Sequence, residues 1–215
     1  MALLITGALI VISHPRFYWG EVGNVNTKPL FVIPIPSSRD TVPTSFGYVM
    51  PDENGWSRYL HFEAAWVCVL TALVYGIYGV VSGHFRKNLV PDRHDLNWRA
   101  YGERIAQYLR RRPPDRTEET SYNVLQRTAY LVVIFVLFPL VIWTGLAMSP
   151  AFTASFPLTV ELLGGRQSAR TIHFLVSWLL LFFLIAHLTM VAVSGFRSRM
   201  RGMITGTVKS SGEDP

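Results

Sequence analysis

"TIHFLVSWLLLFFLIAHLTMV", residues 171–191, is a run of Leu, Phe, Ile, Val and Trp into which His173 and His187 are set. A hydrocarbon core about 30 Å thick is crossed by roughly 20 apolar residues in a helix, so this stretch predicts a helical, membrane-embedded fold. Imidazole is a costly guest in lipid. Ionisable side chains within spanning helices face the interior of the bundle and by default mark function. The two histidines are 14 positions apart, which at 100° per residue falls about 40° short of four turns. They therefore share one helix face, about 21 Å apart along the axis. One ring belongs near the outer surface and the other towards the inner side. At that separation they suit two stacked cofactors and cannot converge on a single ion.

The rest of the chain agrees with this class. Of 215 residues, 50% are hydrophobic and only 16% charged, too apolar a balance for an ordinary soluble domain of this size. Spans are expected at about 60–83, 129–148 and 172–195. A fourth apolar run, 1–12, covers roughly 18 Å and reads as the outer part of a helix whose beginning is missing. It has no basic region before it and no clear small-residue cleavage site, so it does not read as a cleavable signal. The expected organisation is a membrane domain over 1–195, with an outer loop at 13–59 and a cytoplasmic loop at 84–128, then a basic tail over 196–215. Pro139 should kink the third span, which neighbouring helices can accommodate.

Charge placement orients the spans. Ten of the twenty Lys and Arg fall in residues 85–128 and four more, Arg197, Arg199, Arg201 and Lys209, in the tail; the other connections share Arg16, Lys28, Arg39, Arg58, Arg166 and Arg170. By the positive-inside rule the 84–128 loop and the C-terminus are cytoplasmic. The net charge of +6 is thus a topology signal, and nucleic acid is excluded as a partner. Outside, the Pro-rich "KPLFVIPIPSS" predicts a loop cap with a short hairpin. Inside, "DLNWRAYGERIAQYLRR" spaces Leu96, Ile105 and Leu109 as an amphipathic helix at the lipid surface, ended by "RRRPPD". His94 reads as a solvated loop residue and His14 as a structural one. The single cysteine, Cys68, excludes an internal disulfide and reads as a small buried hydrophobe.

Haem fits the histidine pattern, since its iron takes an axial nitrogen from each side and bundle cores house such groups between facing helices. The outer histidine needs a partner at its own depth. His61 stands one residue into the expected second span, as His173 stands one residue into the fourth, and both spans enter from outside. His61/His173 is the predicted axial pair. The level of His187 on the second span is near Tyr75. His84 lies 23 residues after His61, about 35 Å along a helix, and is too deep to serve. On the first span that level falls before Met1, so the second haem's ligand is expected upstream of this chain, or else the inner site lacks it. His84, beside Arg86 and Lys87, is a candidate proton relay at the inner surface, with a lipid-headgroup anchor as the other reading. Arg166 and Arg170 are candidates for haem carboxylates at the outer surface, Arg170 the stronger. Glu63 is read as an interfacial carboxylate.

"HPRFYWGE", "LHFEAAW", "YGVVSGHFRKNLVP", "YNVLQRTAYLVVIFVLFPLVIWTGLAMSP" and "GRQSARTIHFLVSWLLLFFLIAHL" together resemble the four-helix di-haem cytochrome b subunits of thiosulfate reductases, respiratory formate dehydrogenases and nickel-iron hydrogenases, the first type most of all. The resemblance covers nearly the whole chain except the tail. It implies two haem b groups, the outer shared by helices two and four, hence His61 with His173. The inner one is shared by helices one and four, hence His187 with a first-helix histidine that this sequence does not contain. It also implies a bacterial cytoplasmic membrane location and exchange of electrons with quinone. The partner would be an extracytoplasmic iron-sulfur or molybdenum-cofactor subunit. The expected product is an all-α membrane four-helix bundle serving electron transfer. With no CxxC set, Gly-rich phosphate loop or Ser/His/Asp constellation in the sequence, it reads as a subunit rather than a complete enzyme. A self-contained transmembrane haem reductase and a haem-free membrane anchor are the alternatives.

Overall fold

A computed structural model of the chain describes residues 1–23, 26–35, 50–91, 97–109 and 124–193. Helix α1 is Ala2–Ser13 and α2 is Met50–Val81. The short α3 is His84–Asn88, followed by α4, Trp98–Leu109. Helix α5 is Val124–Ala147, then come the short α6, Pro150–Ser155, and α7, Leu158–Glu161. Helix α8 is Arg166–Val193. Three of these are long and apolar enough to cross a membrane, over Trp56–Val81, Val124–Ala147 and Arg166–Ala192, while α1 is a shorter apolar helix of 12 residues. Many of their large apolar side chains are exposed, among them Val67, Val74, Phe135 and Phe182. That pattern suits rods whose solvent is hydrocarbon rather than water.

Helix α2 starts ten residues before the apolar run that announced it. Pro51, Asp52 and Glu53 stand in its first turn, residue types that favour a helix start through a pre-set φ and the helix dipole. Hydropathy sees where lipid begins, not where the helix does. His61 accordingly lies well inside α2, and His173 lies two turns into α8 rather than one residue from its start.

Pro139 is met by a change of helical pitch. The turn Val133–Leu137 immediately before it is π-helical, with Phe138 N–H donating to Val133 O. Proline brings no N–H and its ring crowds the carbonyl four residues back, and a wider turn relieves both.

The predicted hairpin is present in small form. Strands β1, Arg16–Phe17, and β2, Phe31–Val32, pair antiparallel, and Phe17 stacks on Phe31 with ring centres 4.7 Å apart. At the far end of α2, Gly83 adopts φ +68° and lets the chain turn into α3. Phe85 then folds back over Gly79, where an added Cβ would lie 2.3 Å from the ring, and meets Tyr75 and Phe135 edge-on. The amphipathic helix is α4, fastened by Tyr101 Oη and Thr128 Oγ1 at 2.7 Å. His94, Leu96, the "RRRPPD" stop and the basic tail lie outside the described residues, as do the side chains of Ile105 and Leu109.

Packing divides the chain into two units, Met1–His173 and Phe174–Pro215. The first contains the packing of α1 on α2 and a small core of Ala147, Val160, Leu163 and Ala169, with Met148 and Ile172 against it. The second begins within α8 and carries that helix on to Val193.

Candidate functional site

The beginning of α8 is capped from far away in the chain. The first N–H groups of a helix have no partner within it. Here Arg166 N–H donates to Glu21 Oε2 (2.8 Å), and Gln167 N–H and Ser168 N–H both donate to Gly20 O (3.0 and 3.2 Å). Gly20 N–H donates in return to Ser168 Oγ (2.8 Å), and Arg166 pairs with Glu21 (3.5 Å). One turn on, Thr171 Oγ1 donates to Tyr18 O (2.7 Å). Arg170 donates to the carbonyls of His14 and Arg16 and lies over the Phe17 ring, 4.8 Å from its centre. Residues 14–21 are therefore locked to α8 directly above His173.

Four helices meet at the histidine pair. His61 of α2 and His173 of α8 face each other with ring centres 6.3 Å apart and planes at 70°. Each ring is held through Nδ1 by a threonine on a different helix. Thr6 Oγ1 of α1 is 2.9 Å from His61 Nδ1, and Thr144 Oγ1 of α5 is 3.0 Å from His173 Nδ1. Each threonine spends its own proton on the carbonyl four residues back, Ala2 O at 2.8 Å and Leu140 O at 2.7 Å. Its oxygen is therefore the acceptor and the imidazole Nδ1–H the donor. Val141 O, 3.1 Å from His173 Nδ1 and able only to accept, requires the same tautomer. Both rings thus carry the proton on Nδ1 and the lone pair on Nε2, the arrangement a metal-binding histidine takes when its other nitrogen is fixed by a hydrogen bond.

The pair fits a haem iron. Metal–imidazole bonds of about 2.0–2.1 Å from one nitrogen of each ring would set the ring centres roughly 6 Å apart, against 6.3 Å observed. Among the described residues no cluster of three or more His, Cys, Asp or Glu could hold a bare ion. Two nitrogens are too few for a lone zinc, which takes four ligands, but they suit a group that brings its own equatorial donors. Glycine lies beside each ring. A Cβ added at Gly7 would sit 3.6 Å from His61 Cε1, and one at Gly145 3.4 Å from His173 Cε1. Those are ordinary contact distances, so protein packing alone does not demand glycine at either place. Glycine there leaves the space beside each ring open for the close approach of a flat ligand.

The other sequence candidates have contacts of their own. His187 stacks on Phe183, one turn earlier in α8, with centres 6.0 Å apart. His84 Nδ1 accepts from Asn88 Nδ2 at 3.0 Å, which leaves the ring proton on Nε2. Arg170 and Arg166 are engaged in the cap, as above, and Glu63 is exposed on α2. Thr6, Gly7, Thr144 and Gly145 escaped the sequence reading, although a signal existed. The dipeptide Thr-Gly occurs once in α1 and once in α5, and in both cases the threonine holds a histidine while the glycine faces the same ring.

Over residues 1–206 the chain matches the family model described as prokaryotic cytochrome b561. It is 30% identical over 159 residues to a protein of Azospira oryzae described as "Putative protein-methionine-sulfoxide reductase subunit YedZ1", covering 69% of this chain and 74% of that one. No solved structure matches it at a significant level. With its long apolar helices and paired, tautomer-fixed histidines, the chain belongs to the prokaryotic cytochrome b561 family, integral membrane proteins of b-type haem electron transfer.

Proposed function

We propose that His61 and His173 are the two axial ligands of one haem b, and that the chain carries electrons between membrane quinone and an extracytoplasmic redox subunit. The observation that carries this reading is the facing pair itself, 6.3 Å between ring centres with both Nδ1 atoms fixed by threonine. When bound, haem supplies a one-electron carrier. The chain's own residues do the rest. Thr6, Thr144 and Val141 O hold the two rings in one tautomer and orientation. The cap anchors the first turns of α8, the helix that carries His173, and the apolar helix faces keep water away.

His187, further along α8, is assigned to a second haem on the side facing quinone, and His84 to proton delivery there. The basic residues of the 84–128 loop and tail support a cytoplasmic C-terminus in the bacterial inner membrane. The partner is of the iron-sulfur or molybdenum-cofactor kind. The description of the Azospira oryzae relative as a reductase subunit favours such an assembly over a reductase acting alone. The test is to add a quinol to the purified, oxidised protein and follow the haem absorption bands. Quinol should reduce them, and the bands should be reoxidised by a co-purifying partner with its substrate. Haem that dithionite reduces but quinol does not would contradict the quinone assignment.

A further inference from the structure

We propose that Thr6 and Thr144 are positioning residues that set the electron-donating strength of His61 and His173, a role resting on the assignment of those histidines as the axial pair. The two threonines are 1% and 0% exposed. A buried hydroxyl in an apolar helix satisfies itself by donating to the carbonyl one turn back, and both do so. That bond needs no histidine nearby. Yet each oxygen also reaches across to another helix and accepts the Nδ1 proton of one imidazole, at 2.9 and 3.0 Å. An acceptor on Nδ1–H draws that proton away and makes Nε2 a stronger donor to a metal, which favours the ferric over the ferrous state.

The two sites are not equal. His173 Nδ1 has a second acceptor in Val141 O at 3.1 Å, whereas His61 Nδ1 bonds to Thr6. Loss of Thr144 leaves the His173 proton a carbonyl to bond. Loss of Thr6 strips His61 of its acceptor and frees the ring to turn. The effect should therefore be larger at Thr6.

The experiment is an optical redox titration of the full chain, purified with its haem, comparing Thr6→Val, Thr6→Ser, Thr144→Val and Thr144→Ser with the unaltered protein. Valine keeps the shape and removes the acceptor, while serine restores it. Thr6→Val should raise the midpoint potential of one haem by up to about tenfold in the one-electron equilibrium, or about 59 mV. Thr144→Val should raise it less, and both serine variants should return it. Valine variants that keep the haem at an unchanged midpoint overturn the proposal. If a valine variant binds no haem, its serine counterpart decides: recovered haem supports the role, and absence from both overturns it. His61→Ala and His173→Ala, measured alongside, test the underlying assignment separately. Should either retain the same low-spin haem, the axial pair is wrong and the threonine role falls with it.

Discussion

At the scale of single residues, the site is made of two kinds of group with different visibility. His61 and His173 could be paired from sequence because a histidine in an apolar span is conspicuous and helix geometry fixes its depth. Thr6 and Thr144 could not, because a threonine in such a span is commonplace and only the fold shows which imidazole its oxygen meets. The glycines give a prediction with opposite signs for fold and cofactor. Ala at position 7 or 145 removes a helix-weakening glycine and should stabilise the haem-free chain by about 0.5–1 kcal/mol. The added methyl crowds the space beside the ring, and overpacking of this kind costs about 1–3 kcal/mol, or about 5- to 150-fold in haem affinity. Haem titration of Gly7→Ala and Gly145→Ala, with thermal unfolding of the haem-free forms, checks both signs. Unchanged affinity would mean that the glycines serve helix packing alone.

Among the elements, the spans were legible since a long apolar run is the strongest signal a membrane protein carries. Their ends were not. Helix α2 runs back to Met50 through polar residues, and the N-terminus of α8 takes its caps from Gly20 and Glu21. These stand some 145 positions earlier, and no local motif announces a cap brought in by tertiary structure. The response to Pro139 was foreseeable as a disturbance, though not in its form, a π turn at Val133–Leu137, because a kink and a wider turn relieve the same clash. The cap itself turns on Gly165. It adopts φ +111°, and a Cβ there would come within 2.5 Å of the Gly20 backbone. Gly165→Ala should therefore destabilise the protein by on the order of 2–3 kcal/mol, through a left-handed non-glycine residue and a backbone collision with no flexible side chain to yield. Thermal unfolding in detergent should show a lowered midpoint. A midpoint equal to that of the unaltered protein would mean that the cap is not rigidly seated.

For the molecule as a whole, the division of labour follows from what the chain contains. Its histidines and threonines can hold and orient a redox group, and its apolar rods keep that group within the membrane. Under the proposed function, a partner subunit would carry out the substrate chemistry. Membership of the cytochrome b561 family agrees with the class read from the apolar runs. The histidine spacing pointed to a second cofactor at His187 and the family resemblance paired it with the first helix, whereas quinone came from the resemblance. The most direct test of the axial pair is the low-spin ferric haem signal in electron paramagnetic resonance, recorded for His61→Ala, His173→Ala and His187→Ala. The account predicts that the first two variants each lose the same bis-imidazole signal and that the third keeps it. Persistence of that signal in either of the first two, or its loss in the third alone, would contradict the account.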